Sequence, residues 1–395
     1  MTADRGPEIS AELRERLTPL FGADIVIERL ALLAGGASKE AWALDLRTPH
    51  GTQLLLVRRA GGGVIHQHTL SLEHEYRVLE VAHAAGVRAP KPYGYLGEIA
   101  GRPAFVSERV PGETIGRRIV QRPELAGARA ALPGQMAEEL AKIHAIPADR
   151  VPFLHAGGAR DVLARLEGEL DRVEEPHPAI ELGLAWAKRR APDGGDIVPL
   201  HGDLRLGNLA VTEAGLGHVL DWEFAHLGDP TEDVAWPLVR AWRFGRDDLR
   251  LGGIGEIGPY LERYNELTGR DIRLEELDYW EVAGNVAWAI GCVTQARRHL
   301  TGQERSVELA ILGRLGGIGE VEPYLERYNA LTGRHITLAS LDYWEIVGNL
   351  KWAIGALTQS RRHLSGQQRS VELAVLGRLA AEMEFELLHL LERAA

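Results

Sequence analysis

The segment HGDLRLGNLAVTEAGLGHVLDWE, which runs from His201 to Glu223, carries most of the functional information in this chain. A short apolar strand over residues 197–200 leads into it, and Asn208 and Asp221 follow Asp203 by five and by eighteen residues. Phosphoryl transfer needs one carboxylate beside the attacking hydroxyl and separate oxygen ligands for a magnesium ion on the nucleotide phosphates. The order and spacing of the three side chains predict a site of this kind.

Each of these residues has a simpler explanation when it is taken alone. An aspartate after a glycine usually forms a turn, and an asparagine before a strand usually caps it. The argument for phosphoryl transfer therefore depends on the ordered combination of the three.

The same segment resembles the catalytic loop of the aminoglycoside phosphotransferase family, a branch of the protein kinase-like fold. The family pattern HGDxxxxN, followed by a metal-binding aspartate, is matched by HGDLRLGN and DWE, and its GDPxxDLA pattern by AHLGDPTEDVAW at Ala225–Trp236. Within this family the chain most resembles the kinase-like domain fused to some acyl-CoA dehydrogenases. That branch shares with it the RLGN and DWE motifs and a GGIGE-type carboxy-terminal segment. The resemblance implies ATP or another nucleoside triphosphate, Mg²⁺, and a small-molecule substrate with a hydroxyl group.

The resemblance also implies a role for each residue of the segment. Asp203 would orient the substrate hydroxyl or accept its proton, and Asn208 and Asp221 would hold Mg²⁺. His201 joins the catalytic set, although we expect it to shape the loop by packing and hydrogen bonding more than to transfer protons. Arg205 either neutralises the transferring phosphoryl group or is a solvated cation.

A glycine-containing turn, LAGGASKEAW at Leu33–Trp42, occupies the place of the nucleotide-covering loop of the family. Glycines allow backbone to approach phosphate closely, and exposed amides or a lysine can then contact the oxygens. The candidate nucleotide-binding residues here are Gly35, Gly36, Ser38 and Lys39. A plain Gly-Gly hairpin turn is the alternative.

Kinase-like folds pair a strand lysine with a helix glutamate so that the lysine can hold the nucleotide phosphates. The matching strand here reads LLLVRRA, with arginine in place of lysine. We expect Arg58 to point inward, with Arg59 as its neighbour, and Glu75 to be the helix partner in preference to Glu73. Arginine keeps the charge, but its planar head does not simply replace an ammonium group.

The segment FVSERVPGE, Phe105–Glu113, matches the linker between the two lobes of the family. There the backbone near Glu108 and Val110 would bind the adenine edge, although a strand that ends in Pro-Gly is also an ordinary hairpin exit. Asp229 and Asp233 are expected to support the catalytic loop from below and to cap the following helix.

The pattern of strands followed by helices predicts an α+β fold of the protein kinase-like, two-lobed type, with an antiparallel sheet in the first lobe. We expect helices near 12–20 and 70–85, and strands near 25–33, 41–46, 53–59, 93–96 and 104–109. A strand-loop-strand unit is expected between Val198 and Leu220. The predicted domains are residues 1–110, a nucleotide-binding lobe; 111–250, a helical lobe with the catalytic loop; and two helical units, 251–314 and 315–395.

The two helical units come from a tandem duplication. Residues 251–314 recur at 315–378 with an offset of 64, and 47 of the 64 pairs are identical. Each copy predicts three helices, in the first copy near 259–267, 274–300 and after Gly302. Both copies carry two tryptophans on a face expected to be buried, Trp280 and Trp288 in the first and Trp344 and Trp352 in the second. One copy therefore needs a cover, either the other copy or a second chain in a homodimer.

Composition excludes several classes of protein. The 395 residues are 45% hydrophobic and carry a formal net charge of −11, which argues against a nucleic-acid or anionic membrane partner. The single cysteine, Cys292, and an amino terminus without an apolar run favour a cytoplasmic protein. Two rival functions stay open: a kinase-like nucleotide-binding or regulatory protein without catalysis, and a metal hydrolase that uses His201, Asp203 and Asp221 as ligands.

Overall fold

The computed structural model describes residues 6–33, 39–61, 69–173 and 177–300. The account below concerns one structural unit, which takes in residues 6–173 and 183–300 of these ranges. The helices are α1 Gly6–Phe21, α2 Leu72–Ala84, α3 Gly116–Gln121, α4 Ala126–His144, α5 Ala159–Asp171, α6 Pro178–Arg190, α7 Pro230–Ala235, α8 Ile257–Thr268 and α9 Leu274–Leu300. The strands are β1 Val26–Leu32, β2 Lys39–Thr48, β3 Gly51–Ala60, β4 Pro92–Ile99, β5 Arg102–Glu108, β6 Val198–Leu200, β7 Leu209–Thr212, β8 Gly215–Val219 and β9 His226–Gly228.

The first lobe is built on a five-stranded antiparallel sheet with the order β1-β2-β3-β5-β4. Helix α1 covers one face of this sheet, because its apolar residues Ile9, Leu13 and Leu17 are buried against Leu44 and Leu55 of the central strands. The predicted antiparallel strands are confirmed, and β2 and β3 each extend further than predicted because they pair over their full length across the turn at 49–50. The predicted α+β class, with an antiparallel sheet in the first lobe, is confirmed.

Helix α2 lies on the other side of the sheet and is attached to the second lobe at both ends. Ser71 caps it by accepting a hydrogen bond from the His74 amide. Just before the helix, the Leu70 amide donates to the Glu223 carbonyl at 2.8 Å, and just after it the Val219 amide donates to the Arg88 carbonyl at 2.8 Å. The helix is therefore fixed relative to the segment that carries the predicted metal ligands.

The connection between the lobes runs close to β7. Gly112 has a φ of +135°, and a Cβ at this position would lie 3.0 Å from the Val211 amide nitrogen. Glu113 and Val211 exchange two backbone hydrogen bonds of 2.8 and 3.0 Å. A glycine is needed here because the chain passes another backbone too closely for a side chain.

The second lobe is mainly helical and contains two small antiparallel strand pairs, β6 with β9 and β7 with β8. Strand β9 was not predicted, because three residues are too few to give a clear pattern. Helix α8 ends at Gly269, which has a φ of +68°, and α9 has the predicted bounds. The third helix of the first copy and the whole second copy lie outside the described residues. No described helix combines the length and the apolar character required of a membrane span.

Candidate active site

The predicted catalytic loop begins where β6 ends. The His201 amide donates to Oδ2 of Asp233 at 2.7 Å, and the Gly202 amide donates to Oδ1 of the same carboxylate at 3.0 Å. Burial raises the pKa of Asp233, but the His144 and His201 side chains and the loop amide outweigh this effect and hold it below its ordinary value. The expectation that Asp233 supports the loop from below is confirmed, and Asp229 caps α7 by accepting from the Thr231 amide.

His201 is fully buried, and both of its ring nitrogens are engaged by backbone. Its Nδ1 accepts from the Asp203 amide at 3.2 Å, and its Nε2 lies 3.0 Å from the Leu220 carbonyl oxygen. The ring also packs on Trp222 with 4.6 Å between ring centroids. No ring nitrogen is left to coordinate a metal, so the metal-hydrolase hypothesis is wrong in its use of His201.

Asp203 is surrounded by hydrogen-bond donors. Its Oδ1 accepts from Nε of Arg205 at 3.0 Å and from Nε1 of Trp236 at 2.7 Å. Its Oδ2 accepts from Nδ2 of Asn208 at 2.6 Å, and the same nitrogen reaches the Asp203 carbonyl at 2.9 Å. The orientation of this carboxylate is therefore fixed before any ligand arrives.

Arg205 is held in place on two sides. Besides its bond to Asp203, its guanidinium lies over the ring of Trp242, 4.5 Å from the centroid. Trp242 in turn packs edge-on against Trp288 of α9 at 4.5 Å. Arg205 is thus not a freely solvated cation but an oriented charge beside Asp203.

Asn208 and Asp221 flank the β7–β8 hairpin at the same end. Leu209 pairs with Val219, and the Leu220 amide donates to the Asn208 carbonyl at 2.8 Å. Asp221 has a φ of +63°, a left-handed conformation that aspartate tolerates better than most residues. Burial raises the pKa of Asp221, but the cations of Arg58 and Lys39 outweigh it and hold it below its ordinary value. An amide oxygen and an ionised carboxylate are ligands that Mg²⁺ prefers, so these residues fit a magnesium ion.

Asp221 belongs to a group of five ionisable side chains, which we call the ion cluster: Lys39, Arg58, Glu75, Asp221 and Glu223. The Lys39 ammonium lies 2.5 Å from Glu75 and 2.8 Å from Glu223. The Arg58 guanidinium lies 3.2 Å from Asp221 and 3.6 Å from Glu75. Residues from β2, β3, α2 and the segment after β8 therefore meet at one place.

The neighbours of Arg58 and Glu75 point elsewhere, as expected. Arg59 is buried on the opposite face of the sheet, where it donates to the Ile99 carbonyl at 2.7 Å and pairs with Glu40 at 2.7 Å. Glu73 is largely exposed and pairs with Arg77 on the surface of α2. The structure brings Arg58 and Glu75, and not these alternatives, to the site.

The two linker residues differ in what they offer to a ligand. The Glu108 amide already donates to the Lys91 carbonyl at 2.8 Å. The Val110 backbone makes no hydrogen bond to the rest of the described chain. Gly35, Gly36 and Ser38 lie outside the described residues, and Lys39 is the first residue of β2.

Sequence reasoning missed two contacts at this site. Trp236 ends the AHLGDPTEDVAW segment, but nothing in the pattern predicts that its indole donates to Asp203. Glu223 is the last residue of the DWE motif, but its ion-pair partner, Lys39, lies 184 residues earlier in the chain. The available signal for Glu223 was a second carboxylate two residues after the predicted metal ligand Asp221.

Comparison with known proteins gives related sequences and related folds. Mouse acyl-CoA dehydrogenase family member 10 is 26% identical over 288 residues, a match that covers 66% of this chain and 26% of the mouse protein. The chain thus corresponds to about a quarter of that relative. A structure from Ralstonia eutropha JMP134, classed as an aminoglycoside phosphotransferase, has a TM-score of 0.61 at 20% identity and covers 81% of this chain and 96% of its own.

Spectinomycin phosphotransferase, solved with ADP and spectinomycin, has a TM-score of 0.55 at 12% identity and covers 81% of this chain and 97% of its own. At these identities the solved structures show a shared fold. The family comparison goes further, because the model of the phosphotransferase enzyme family, APH, matches residues 29–267, more than half of the chain. The resemblance carried by HGDLRLGN and DWE is confirmed, and the chain belongs to the APH phosphotransferase enzyme family.

Proposed function

We propose that this chain is an ATP- and magnesium-dependent kinase that transfers the γ-phosphoryl group to a hydroxyl of a small molecule. The observation that carries the proposal is the 2.6 Å contact between Asp203 and Asn208, with Asp221 at the same end of the hairpin. The contact supports the proposal because it joins a fixed carboxylate to Asn208, and Asn208 and Asp221 carry the amide and carboxylate oxygens that Mg²⁺ prefers as ligands. The ADP bound to spectinomycin phosphotransferase supports a nucleotide as the donor.

In this proposal each side chain has a separate task. Asp203 accepts the proton of the substrate hydroxyl. The oxygen of that hydroxyl forms a bond to the γ-phosphorus, and the bond between the γ-phosphorus and the bridging β-phosphate oxygen breaks. Arg205 stabilises the charge of the group in transfer, and His201 keeps the loop in shape. Asn208 and Asp221 would hold Mg²⁺, which neutralises phosphate charge when bound.

Further proposals concern the rest of the nucleotide site and the substrate. The glycine-containing turn and a cation of the sheet, Lys39 on β2 or Arg58 on β3, would bind the phosphates, and the backbone at Glu108 and Val110 would bind adenine. The likeness to acyl-CoA dehydrogenase family members leads us to propose an acyl or lipid-like hydroxylated metabolite as the acceptor. We also propose the domain boundaries given in the sequence analysis and a cytoplasmic location. We propose in addition that the chain forms a homodimer through its duplicated units.

The decisive experiment replaces Asp203 by asparagine. ADP release is measured with ATP, Mg²⁺ and a panel of hydroxyacyl thioesters, sugars, amino alcohols and antibiotics. We expect Asp203→Asn to lower turnover by about 10²- to 10⁴-fold, because the proton acceptor is lost, with ATP affinity changed by less than about twofold. Glu213→Gln, an exposed carboxylate in the turn of the same hairpin, is the matched control and should keep the parent rate. Parent-level turnover by Asp203→Asn would show that Asp203 is not the base.

A second candidate function is nucleotide binding without turnover. The observation that favours it is the Arg58–Asp221 ion pair, in which a cation occupies a predicted metal ligand. Calorimetry with ADP and Mg²⁺, followed by the same panel, separates the two functions. Binding without ADP release on any hydroxyl compound would favour the second.

A further inference from the structure

Two cations of the ion cluster lie on the same face of the sheet. In the β2–β3 pair, Lys39 is opposite Ala60 and Arg58 is opposite Ala41. Residues that face each other across an antiparallel pair share a face, and residues two apart along a strand share it too. Lys39 and Arg58 are therefore diagonal neighbours, and either could in principle face the nucleotide phosphates.

Their partners distinguish them. Lys39 is 2.5 Å from Oε2 of Glu75, the helix glutamate, and 2.8 Å from Oε2 of Glu223. Glu75 itself is almost fully buried, so its position is fixed by α2. The contact with Glu75 is a hydrogen bond and the contact with Glu223 is an ion pair, so at least one of the three donors of the ammonium group is left for a ligand.

Arg58 occupies the strand position where kinase-like folds have lysine, but its partners differ from those of Lys39. Its Nη2 donates to Oδ1 of Asp221 at 3.2 Å. Its Nε is 3.6 Å from Glu75, beyond hydrogen-bond distance, and this buried nitrogen has no hydrogen-bond partner among the described residues. Glu75 therefore positions Lys39 closely and Arg58 only loosely.

We infer that Lys39, on β2, is the cation that Glu75 positions for the nucleotide phosphates, and that Arg58 is the counter-ion that occupies Asp221 until a divalent cation replaces it. The inference rests on the proposed function, because it needs a nucleotide to bind. Lys39 then has the role of the strand lysine in kinase-like folds, and Arg58, at that lysine's strand position, pairs with Asp221. A short ion pair to the helix glutamate is the contact that defines such a lysine, and here Lys39 makes it.

The test measures binding and does not depend on turnover. ADP and adenosine are titrated by calorimetry into the full chain and into Lys39→Met and Arg58→Met. Because a charge-assisted contact to phosphate is lost, Lys39→Met should weaken ADP binding by about 10- to 100-fold and leave adenosine binding within about twofold. Arg58→Met should leave metal-free ADP binding within about threefold.

The second arm uses Mg²⁺ itself as the probe. Tm is measured in the presence of ADP while the Mg²⁺ concentration is raised. The Mg²⁺ concentration that gives half of the total rise in Tm should be about fivefold lower for Arg58→Met than for the parent, because Asp221 no longer pairs with a guanidinium. Arg47→Met is the matched control, since Arg47 lies on the same strand as Lys39 but pairs with Glu28 at the surface. It should behave as the parent in both arms, and circular dichroism of each variant checks that it is folded.

The reverse pattern, in which Arg58→Met loses ADP affinity and Lys39→Met keeps it, overturns the inference, and so does an equal loss in both. In either case the parent still binds ADP and the proposed function stands. A folded parent that binds neither ADP nor adenosine overturns the proposed function and this inference with it.

Discussion

Gly202 shows how tightly the catalytic loop is built around single residues. Its φ is +77°, in the left-handed region, and a Cβ at this position would lie 2.2 Å from the Phe224 carbonyl oxygen. Both the backbone conformation and the neighbouring chain therefore require glycine. The same residue gives its amide to Asp233, so a shift at Gly202 also disturbs the support of the loop.

We expect Gly202→Ala to lower the free energy of unfolding by about 3 kcal/mol, because the methyl group must displace backbone and the left-handed φ is strained. Urea denaturation measures the change. Gly134→Ala is the matched control, since Gly134 lies inside α4 with no atom within 4 Å of the new methyl group. It should raise stability by about 0.5–1 kcal/mol. Equal stability of Gly202→Ala and the parent would show that the loop is less constrained than its geometry implies.

The sequence predicts the site best where its residues are close together in the chain. Asp203, Asn208 and Asp221 lie on one loop and one hairpin, so their spacing alone brings them together. The contact of Lys39 with Glu75 depends on the register of β2 and on the rotation of α2 about its axis, neither of which a local pattern contains. Trp236, the residue after α7, lies 33 residues from Asp203 in the chain, and only tertiary packing brings the two together.

At the level of elements, β9 and α7 are joined by a partly buried ion pair between His226 and Glu232, with 3.5 Å between Nε2 and Oε1. Burial lowers the pKa of His226, but Glu232, the Phe224 carbonyl and Asp233 outweigh it and raise the pKa from 6.5 to about 9. The folded chain therefore binds a proton at His226 more tightly than the unfolded chain does. This contribution to stability is complete below the unfolded pKa and is lost as the pH rises through the folded pKa.

The stability difference between the parent and His226→Gln should accordingly be largest near pH 6, on the order of 2 kcal/mol, and should approach zero near pH 10. Urea denaturation of both proteins at a series of pH values measures this difference, in which the other titrating groups cancel. His50→Gln, at an exposed histidine in the β2–β3 turn, should show no such trend. A difference that grows as the pH rises would contradict the pairing with Glu232.

At the scale of the whole molecule, the first helical copy is held on the catalytic lobe by side chains that recur in the sequence of the second copy. Tyr264 of α8 lies 2.6 Å from Nδ1 of His144, and Tyr260 donates to the Val234 carbonyl at 3.1 Å. Arg270 pairs with Asp196 at 2.5 Å. The residues 64 positions later are identical: Tyr324, Tyr328 and Arg334.

The first copy already occupies these partners on its own lobe, so we expect the second copy to bind another chain, and the full chain to form a dimer through its duplicated units. Light scattering coupled to gel filtration should give about twice the 43.4 kDa of one chain. The double variant Tyr324→Ala, Tyr328→Ala removes only second-copy residues and should shift the protein to the monomer. A parent that is monomeric at all concentrations, with its tryptophans open to a soluble quencher, would contradict both exchange and stacking of the copies.

The two backbone hydrogen bonds at the ends of α2 have a consequence for how the cleft works. Two backbone hydrogen bonds, from Leu70 to Glu223 and from Val219 to Arg88, join the ends of α2 to the second lobe. Separation of the lobes must either break these hydrogen bonds or move α2 off β4 and β5, on which it packs. Both routes expose backbone or apolar surface to water, and both are costly. The position of α2 relative to the segment that ends in Glu223 is therefore set by the backbone, independently of any side chain of the ion cluster.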